Sequence, residues 1–322
     1  MHSDSFVIRN YRSSDVSQYV EFHAGAESIC HSVDAFSPAS LTDEPPHPVD
    51  FSDDNLFLAE GKRTIVGACQ VVPELAIDRV VLRLLVTPDF LSRGIAAKLL
   101  RSAIERAGEL KVARVHADLR EEDWAVRDLF AGFGFVPVRR HAEMKLELQP
   151  STIVESLCAG LMYRPLEPGG ETKFTQFQNH VFGGSWGFCP NTTSDIIQQL
   201  NAPGYGRHGV ILAYDGEDAV GYCWSAEVCQ RGCKSGALTG RIHMMGVAPE
   251  FRGRGLGRHI LSSGLKYLAS KGYSTVELTV DCENEAACSI YERVGFKLNT
   301  PLLWYEKEMT DAKAAHFNAS HL

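Results

Sequence analysis

A turn rich in glycine and arginine is the segment of this chain best suited to chemistry. It reads Arg252-Gly253-Arg254-Gly255-Leu256-Gly257-Arg258 and lies between a strand-like run and a helical run. The start of a helix carries unpaired N–H groups and partial positive charge, and glycines allow a ligand to approach that backbone. Arginines beside it supply donors to phosphate oxygens. The pattern indicates a diphosphate-binding turn, with a glycine-rich surface turn as the alternative.

Two other phosphate-binding patterns do not fit this segment. A dinucleotide fingerprint needs a third glycine where Arg258 stands. A Walker loop needs a Gly-Lys-Ser/Thr sequence, which the segment does not contain.

The turn has a weaker copy in the first half of the chain. Identical residues recur at a spacing of 161 in this chain of 322 residues: Val86 and Val247, Pro88 and Pro249, Gly94 and Gly255, Gly134 and Gly295, and Phe135 and Phe296. The sequence therefore resembles one small domain written twice. The expected boundaries are a first domain at 1–149, a second at 150–310 and a polar tail at 311–322.

Both halves predict the same succession of strands and helices. Two hairpins are indicated, around Glu60-Gly61-Lys62 and around Asp215-Gly216-Glu217. Apolar residues at helical spacing follow each turn: Ile95, Leu99, Leu100, Ile104 and Ala107, then Leu256, Ile260, Leu261, Leu265 and Leu268. Strand-helix alternation with hairpins predicts an α/β (α+β) fold, and a final strand is expected to close each half.

The halves differ in length before their third strand. Ala59 and Ala213 are only 154 residues apart, so the second half carries seven additional residues, placed within 230–236.

Composition excludes several classes of function. Apolar residues make up 44% and charged residues 22% of the chain, and its net charge of −8 gives no sign of a nucleic-acid groove. No apolar run reaches the roughly 18 residues of a membrane-spanning helix. The first residues lack the pattern of a secretory signal, so we expect a cytoplasmic protein without membrane or nucleic-acid partners.

The nine cysteines do not form a recognisable metal site. Cys69, Cys223 and Cys288 lie in apolar runs, which indicates reduced, buried thiols. Cys229 and Cys233 are four residues apart, but no second pair accompanies them, and a zinc site needs about four ligands. We expect no bound metal.

Two motifs together resemble those of the GNAT N-acetyltransferases. Arg252, Gly255 and Gly257 match the pyrophosphate motif of that family. A later signature is met by Asn284, Ala287, Ile290, Tyr291, Gly295 and Phe296. The resemblance covers the second half and, more loosely, the first.

The resemblance implies two tandem GNAT-like domains. Each would contain a mixed, mostly antiparallel sheet with flanking helices, and its central strands would splay apart. The co-substrate would be acetyl-CoA, with its pantetheine arm in the gap beside Met245, Gly246 and Val247 and its diphosphate on the turn 252–258. Asn284 would contact the cofactor or cap the next helix.

The same resemblance suggests catalytic roles. Tyr291 would protonate the departing thiolate, since a phenol stays protonated at neutral pH. The N–H group of Val247 would donate to the oxyanion. Members often place a glutamate on the strand before the turn, where this chain has Arg241-Ile242-His243-Met244-Met245. Histidine is the residue type best suited to exchange a proton at neutral pH, which makes His243 the first candidate base; Glu227 and Asp281 are alternatives.

A glycine-rich aromatic loop at 182–190 is a candidate wall of the acceptor pocket. Early loops of this family shape that pocket, so Trp186 and Phe188 could contact the acceptor. The alternative is hydrophobic packing between domains.

The first copy departs from the motifs at three positions. Leu91, Asp123 and Phe130 stand where the second copy has Arg252, Asn284 and Tyr291. We therefore expect one active site, in the second domain. The two domains would form a pseudo-dimer within one chain, so the protein could function as a monomer.

The expected reaction transfers an acetyl group to a primary amine of a small molecule or peptide, by direct attack in a ternary complex. The alternatives are a regulatory or scaffold protein that binds acyl-CoA with little turnover, and a transferase that uses another acyl-CoA. The depth of the pocket beside Met244 and Met245 would distinguish a transferase for a longer acyl group from an acetyltransferase.

Overall fold

The computed structural model describes residues 6–30, 53–88, 90, 94–148, 160–227 and 239–309. Four sequence-based expectations concern residues outside these ranges: Leu91, the cysteines Cys229 and Cys233, the insertion at 230–236, and the tail at 311–322. No helix in the described ranges is long and apolar enough to cross a bilayer.

Two compact units make up the chain. The first contains Met1–Arg140 together with Pro301–Leu322, and the second contains His141–Thr300. The divisions fall after residues 140 and 300, whereas the boundaries expected from the sequence were at 149 and 310.

The elements of the first half of the chain follow one another as β1 (Phe6–Asn10), α1 (Val16–Gly25), β2 (Glu27–Ser28), β3 (Leu56–Gly61), β4 (Thr64–Glu74), β5 (Arg79–Val86), α2 (Ile95–Glu109), β6 (Arg114–Arg120), α3 (Trp124–Gly132) and β7 (Val136–Glu147). Short 3-10 helices lie at Ser13–Asp15, Asp53–Asn55 and Leu75–Ile77. The predicted hairpin is confirmed, since β3 and β4 pair antiparallel.

The elements of the second half are β8 (Met162–Pro165), α4 (Glu171–Phe182), α5 (Thr193–Asn201), β9 (Val210–Asp215), β10 (Asp218–Ala226), β11 (Thr239–Val247), α6 (Leu256–Ser270), β12 (Thr275–Asp281), α7 (Glu285–Val294) and β13 (Lys297–Glu308). Short 3-10 helices lie at Arg207–Gly209 and Pro249–Phe251. The second predicted hairpin is confirmed by the antiparallel pairing of β9 and β10.

The last strand of each half pairs within the unit of the other half. β7 runs antiparallel to β12, with His141 opposite Asp281. β13 runs antiparallel to β6, with Leu302 opposite Arg120. The sequence predicted both strands but assigned each to its own half, and the pairing corrects that assignment. Hydrophobic alternation identifies a strand and its buried face, but it does not identify the strand's partner.

The strand order in each unit gives a mixed, mostly antiparallel sheet. It is β1-β3-β4-β5-β6-β13 in the first unit, with β2 also on β5, and β7-β12-β11-β10-β9-β8 in the second. β5 with β6 and β11 with β12 are the parallel pairs. In both pairs the hydrogen bonding covers three residues and stops while the strands continue. The predicted fold class, with splayed central strands, is confirmed.

The helix after each glycine turn packs its apolar face on its own sheet, as its sequence predicted. Leu99 and Leu100 of α2 are fully buried, and so are Ile260 and Leu261 of α6. Truncating one such side chain to alanine costs about 2–5 kcal/mol. This packing fixes the start of α6, and therefore the turn before it, against the end of β11.

Candidate active site

The second unit presents an edge of backbone groups to the gap between β11 and β12. Pairing between these strands ends at Arg241, although β11 continues to Val247. On the other side, Ala248 N–H donates to the carbonyl of Val220 at 2.9 Å. Backbone groups alternate sides along an antiparallel strand, so Met245 and Val247 direct their N–H and C=O groups away from β10 and into the gap.

Gly246 lies between those two residues, opposite Tyr222 of β10. A Cβ atom at this position would lie 2.3 Å from Cγ1 of Val181 and 3.3 Å from the ring of Phe182. The end of α4 is therefore in direct contact with the backbone of β11, and a side chain at 246 would push the two elements apart.

The glycine turn leaves open space at the start of α6. Gly253 and Gly255 have φ angles of +76° and +77°, which L side chains rarely adopt, and a Cβ on either would meet nothing within 4 Å. Gly255 is the N-cap of α6 and has no side chain with which to cap the first amides of the helix. Gly257 is held close to α7, since a Cβ there would lie 2.7 Å from Ile290.

Arginines brace this turn and bring positive charge to it. Arg252 donates from Nε to the carbonyl of Val247 at 3.1 Å and from Nη2 to the carbonyl of Val181 at 2.7 Å. Arg254 donates to the carbonyl of Glu250 at 3.1 Å. Arg258 is exposed on the first turn of α6, next to Leu256 and Gly257. The open turn, the start of α6 and these cations fit a diphosphate, and the edge of β11 fits an extended amide-containing arm.

Tyr291 lies on α7 and is 7% exposed. Its ring centroid is 5.8 Å from that of Phe296, at an interplanar angle of 65°. It belongs to the same apolar cluster as Met245 and Val247. Burial, together with the nearby Cys223 and Cys288 thiols, raises the pKa of its phenol, so the hydroxyl keeps its proton at neutral pH.

Asn284 caps α7. Its side chain accepts a hydrogen bond from the N–H of Ala287 at 3.2 Å, and its own N–H donates to the carbonyl of Asp281 at 3.0 Å. Of the two roles expected for this residue, the structure accounts for capping.

His243 occupies a β-bulge. Trp224 pairs with Met244 and the next residue, Ser225, pairs with Ile242, so His243 is the additional residue of β11. Its ring is perpendicular to two aromatic neighbours, at 4.9 Å and 83° from Trp224 and at 5.0 Å and 88° from Tyr205. Bulges redirect side chains and are common beside active sites.

The two alternative base candidates have other partners. Glu227 accepts a hydrogen bond from the hydroxyl of Tyr267 at 2.7 Å, on the α6 side of the sheet. Asp281 accepts from the N–H of Glu283 at 3.0 Å and so stabilises the turn after β12.

The sheet face that carries His243 also carries polar residues that the sequence interpretation missed. On β12 and β7, His141 lies opposite Asp281, Glu143 opposite Thr279, and Lys145 opposite Glu277. Arg241 donates to the hydroxyl of Thr279 at 2.8 Å. These β7 and β12 side chains are half-buried. Their alternation with buried Ala142, Met144 and Leu146 was visible in the sequence, but their partner strand was not.

The aromatic loop after α4 meets this face through Trp186. The ring of Trp186 is 5.7 Å from that of His141, edge to face at 70°. Phe188 instead packs on Phe182, 5.4 Å away, at the end of α4. Of the two candidate acceptor residues, Trp186 therefore borders the polar face.

Cysteine chemistry and metal binding have no support in the described residues. Cys69 and Cys223 are fully buried, and burial raises the pKa of both thiols to about 12. Cys288 is half-buried. No group of three or more potential metal ligands occurs in the described part of the chain.

Comparison with known proteins gives two family matches along the chain. Residues 173–296 match the acetyltransferase (GNAT) family, and residues 52–137 match an acetyltransferase (GNAT) domain. These are the two halves in which the sequence repeat was found.

Two curated relatives carry the same name. Mycothiol acetyltransferase of Thermobispora bispora is 31% identical over 230 residues, covering 70% of this chain and 75% of the relative. Mycothiol acetyltransferase of Pseudarthrobacter chlorophenolicus is 30% identical over 224 residues, covering 67% of this chain and 66% of the relative.

Solved structures share the fold at low sequence identity. A GCN5-related N-acetyltransferase from Sphaerobacter thermophilus has a TM-score of 0.68 and 20% identity, covering 94% of this chain and 95% of that one. A tandem GNAT protein from the clavulanic acid biosynthesis pathway has a TM-score of 0.68 and 17% identity, covering 94% and 98%. With its two matched domains and these relatives, the chain belongs to the GNAT family of acetyltransferases.

Proposed function

We propose that the second unit transfers an acetyl group from acetyl-CoA to a primary amine of a small molecule or peptide, in a ternary complex. GNAT acetyltransferases use acetyl-CoA as their donor, and this enzyme is an acyltransferase. The observation that carries the proposal is the continuity between the part of β11 beyond Arg241, where pairing with β12 has stopped, and the open glycine turn. One extended thioester with a diphosphate fits along both.

The donor would be bound mainly by backbone groups. Met245 supplies its N–H and C=O groups, and Val247 its C=O group, to amides of the pantetheine arm, in the manner of an added strand. The first amides of α6, at Leu256, Gly257 and Arg258, supply donors to the diphosphate. Arg252 and Arg254 add positive charge beside it, while Gly253 and Gly255 keep side chains out of the way.

The reaction forms one bond and breaks another. The neutral amine nitrogen attacks the thioester carbonyl carbon, and the carbon–sulfur bond breaks to release CoA. His243 accepts the proton that the amine loses, and Tyr291 donates a proton to the departing sulfur. The N–H group of Val247 donates to the carbonyl oxygen as negative charge grows there.

The placement of His243 and Tyr291 is consistent with these separate roles. His243 contacts Trp224 and Tyr205 on the α4–α5 side of the sheet. Tyr291 packs in the cluster of α6 and α7 on the other side. The amine would therefore approach from one side of the gap, and the thiol would be protonated from the other.

The acceptor would lie over the polar face next to His243. Half-buried side chains of β7 and β12, bordered by Trp186, offer hydrogen-bond donors and acceptors, and they include both acidic and basic residues. Such a mixed surface suits a polar amine better than an apolar one. Since the curated relatives are named mycothiol acetyltransferase, a small-molecule acceptor is the first class to test.

A panel of primary amines with acetyl-CoA tests the proposal, with thiol release followed by a chromogenic disulfide. We expect amine-dependent release of CoA together with an acetylated product detected by mass spectrometry. Propionyl-CoA and butyryl-CoA serve as alternative donors, and faster transfer from either would contradict the acetyl specificity. Binding of acetyl-CoA without amine-dependent turnover by any member would instead favour a binding protein.

A further inference from the structure

The first unit has the same gap between its parallel strands as the second. β5 pairs with β6 at three residues, 79–81, and then continues to Val86. Thr87 N–H donates to the carbonyl of Val66 at 3.0 Å, as Ala248 does to Val220 in the second unit. The same alternation therefore directs the backbone groups of Leu84 and Val86 away from β4 and toward this gap.

A segment of the chain itself fills this edge in the first unit. β2 pairs antiparallel with β5, with Glu27 opposite Val86 and Ser28 opposite Leu85. The N–H groups of Ile29 and Cys30 both donate to the carbonyl of Leu84, at 2.8 Å and 3.3 Å. β4 occupies the other edge of β5 along its whole length, so β2 lies on the β6 side.

The segment is also anchored by its side chains. Ile29 is 7% exposed and Cys30 is 1% exposed, and both belong to the main apolar cluster of the first unit. Removing the segment from β5 would break its backbone hydrogen bonds and would expose these two side chains to water.

The second unit differs at this place. Leu84 and Val86 correspond to Met245 and Val247 at the repeat spacing. In the described part of the chain, no backbone pairing covers Met245 or Val247 on the β12 side. After α4 the chain forms the aromatic loop in place of a strand on β11.

We infer that residues Glu27–Cys30 act as a built-in ligand, which occupies in the first unit the backbone edge that acyl-CoA would use in the second. The chain then binds one acyl-CoA molecule, in the second unit. This inference rests on the proposed function. It concerns the backbone edge of β5, which residues 27–30 already occupy, and it is independent of the presence of Phe130 in place of a tyrosine.

The test is the binding stoichiometry of CoA with the full-length protein, measured by isothermal titration calorimetry and equilibrium dialysis. A matched pair of variants assigns the site. Gly94 and Gly255 precede α2 and α6 with φ angles of +73° and +77°, and a Cβ on either meets nothing within 4 Å. Gly94→Val and Gly255→Val therefore introduce the same local strain in the two units.

We expect one CoA per chain, lost in Gly255→Val and retained in Gly94→Val. Two CoA per chain would overturn the inference and leave the proposed function standing. One CoA that is lost in Gly94→Val and kept in Gly255→Val would overturn both. No binding to the unmodified protein would overturn the proposed function, and the inference with it.

Hydrogen exchange on the unmodified protein provides a second measurement that does not depend on variants folding. The amides of Ile29 and Cys30 should exchange slowly without CoA and remain unchanged when CoA saturates the protein, while the amide of Met245 should exchange more slowly. Faster exchange at Ile29 and Cys30 on addition of CoA would show that the segment is displaced, which would overturn the inference.

Discussion

Phe130 of the first unit and Tyr291 of the second hold the same structural position. The ring of Phe130 is 5.1 Å from that of Phe135 at 70°, and the ring of Tyr291 is 5.8 Å from that of Phe296 at 65°. Both rings are buried. Because a phenyl group satisfies the packing, the hydroxyl of Tyr291 is an addition that the fold does not require.

The two units differ more in the strand beside the gap. β4 and β5 pair without interruption from Gly67 opposite Val86 to Glu74 opposite Arg79. The corresponding pairing of β10 and β11 contains the bulge at His243. The bulge accounts for a one-residue difference between the strands, and it places a histidine where the first unit continues a regular ladder.

The polar faces beside these strands differ as well. In the first unit, Arg79 binds both Glu74 and Nδ1 of His116, and Nε2 of His116 lies 2.7 Å from Glu306. This network is buried apart from its two carboxylates. In the second unit the corresponding face is half-buried. The polar residues of the first unit are therefore buried against one another, whereas those on β7 and β12 of the second unit stay half-buried.

The largest expected effect comes from making the second unit like the first at Tyr291. Tyr291→Phe should lower turnover about 10³-fold, within the range for loss of a general acid, with unchanged affinity for CoA. Stability should change by less than about 1 kcal/mol, since Phe130 shows that this site accepts a phenyl ring. Steady-state kinetics and CoA titration measure the two quantities; undiminished turnover would remove Tyr291 from the mechanism.

The reverse change is the matched control. Phe130→Tyr should leave turnover unaltered, because the proposed mechanism takes no catalytic group from the first unit. It should destabilise the protein by about 1–3 kcal/mol, since it buries a hydroxyl among apolar side chains. A change in turnover without a change in stability would contradict the assignment of catalysis to the second unit.

His243→Ala should lower turnover about 10²-fold, because it removes the group that we propose accepts the proton of the amine. Added imidazole should restore part of the activity, a result that loss of a purely structural histidine would not give. His208→Ala, which removes an exposed histidine of the same unit, is the control and should match the unmodified protein. If imidazole fails to rescue His243→Ala while CoA binding is intact, Glu227 and Asp281 become the candidates to test.

Some of this comparison could be predicted from the sequence. Residue spacing identified the repeat, both hairpins, the helices after the turns and the substitution of Tyr291 by Phe130, because each depends on local periodicity or on a motif. The bulge at His243 could not be predicted, since a one-residue register shift leaves no mark in a short apolar run. The exchange of β7 and β13 and the pairing of β2 with β5 depend on long-range contacts, which spacing along the chain does not specify.

A smaller effect, on stability, should come from the buried network of the first unit in which His116 lies between Arg79 and Glu306. Burial lowers the pKa of His116; Arg79 lowers it further, while the hydrogen bond to Glu306 opposes both. Arg79 can only donate, so Nδ1 of His116 accepts and the ring is neutral. The unfolded chain then binds more protons than the folded chain as the pH falls through about 6.5, and stability is lost in that direction.

The urea midpoint at pH 7.5 and at pH 5.5 measures this effect. We expect the free energy of unfolding to fall by an amount on the order of 1 kcal/mol from pH 7.5 to pH 5.5, and we expect no such fall in His116→Gln. An equal loss in the variant would assign the pH dependence to other groups. Because the network lies in the first unit, CoA affinity should not follow the same pH profile in the unmodified protein.

The smallest expected effect is at Asn284, where the two units differ in sequence but agree in structure. The side chain of Asp123 accepts from the N–H of Val126 at 3.2 Å, as that of Asn284 accepts from Ala287 at 3.2 Å. Asparagine and aspartate are about equally good helix caps, so Asn284→Asp should change stability by less than about 0.5 kcal/mol. Asn284→Ala, which removes the cap, should cost about 1 kcal/mol. If Asn284→Asp weakens CoA binding more than Asn284→Ala does, the added negative charge acts on the diphosphate, and Asn284 belongs to the donor site as well as to the helix.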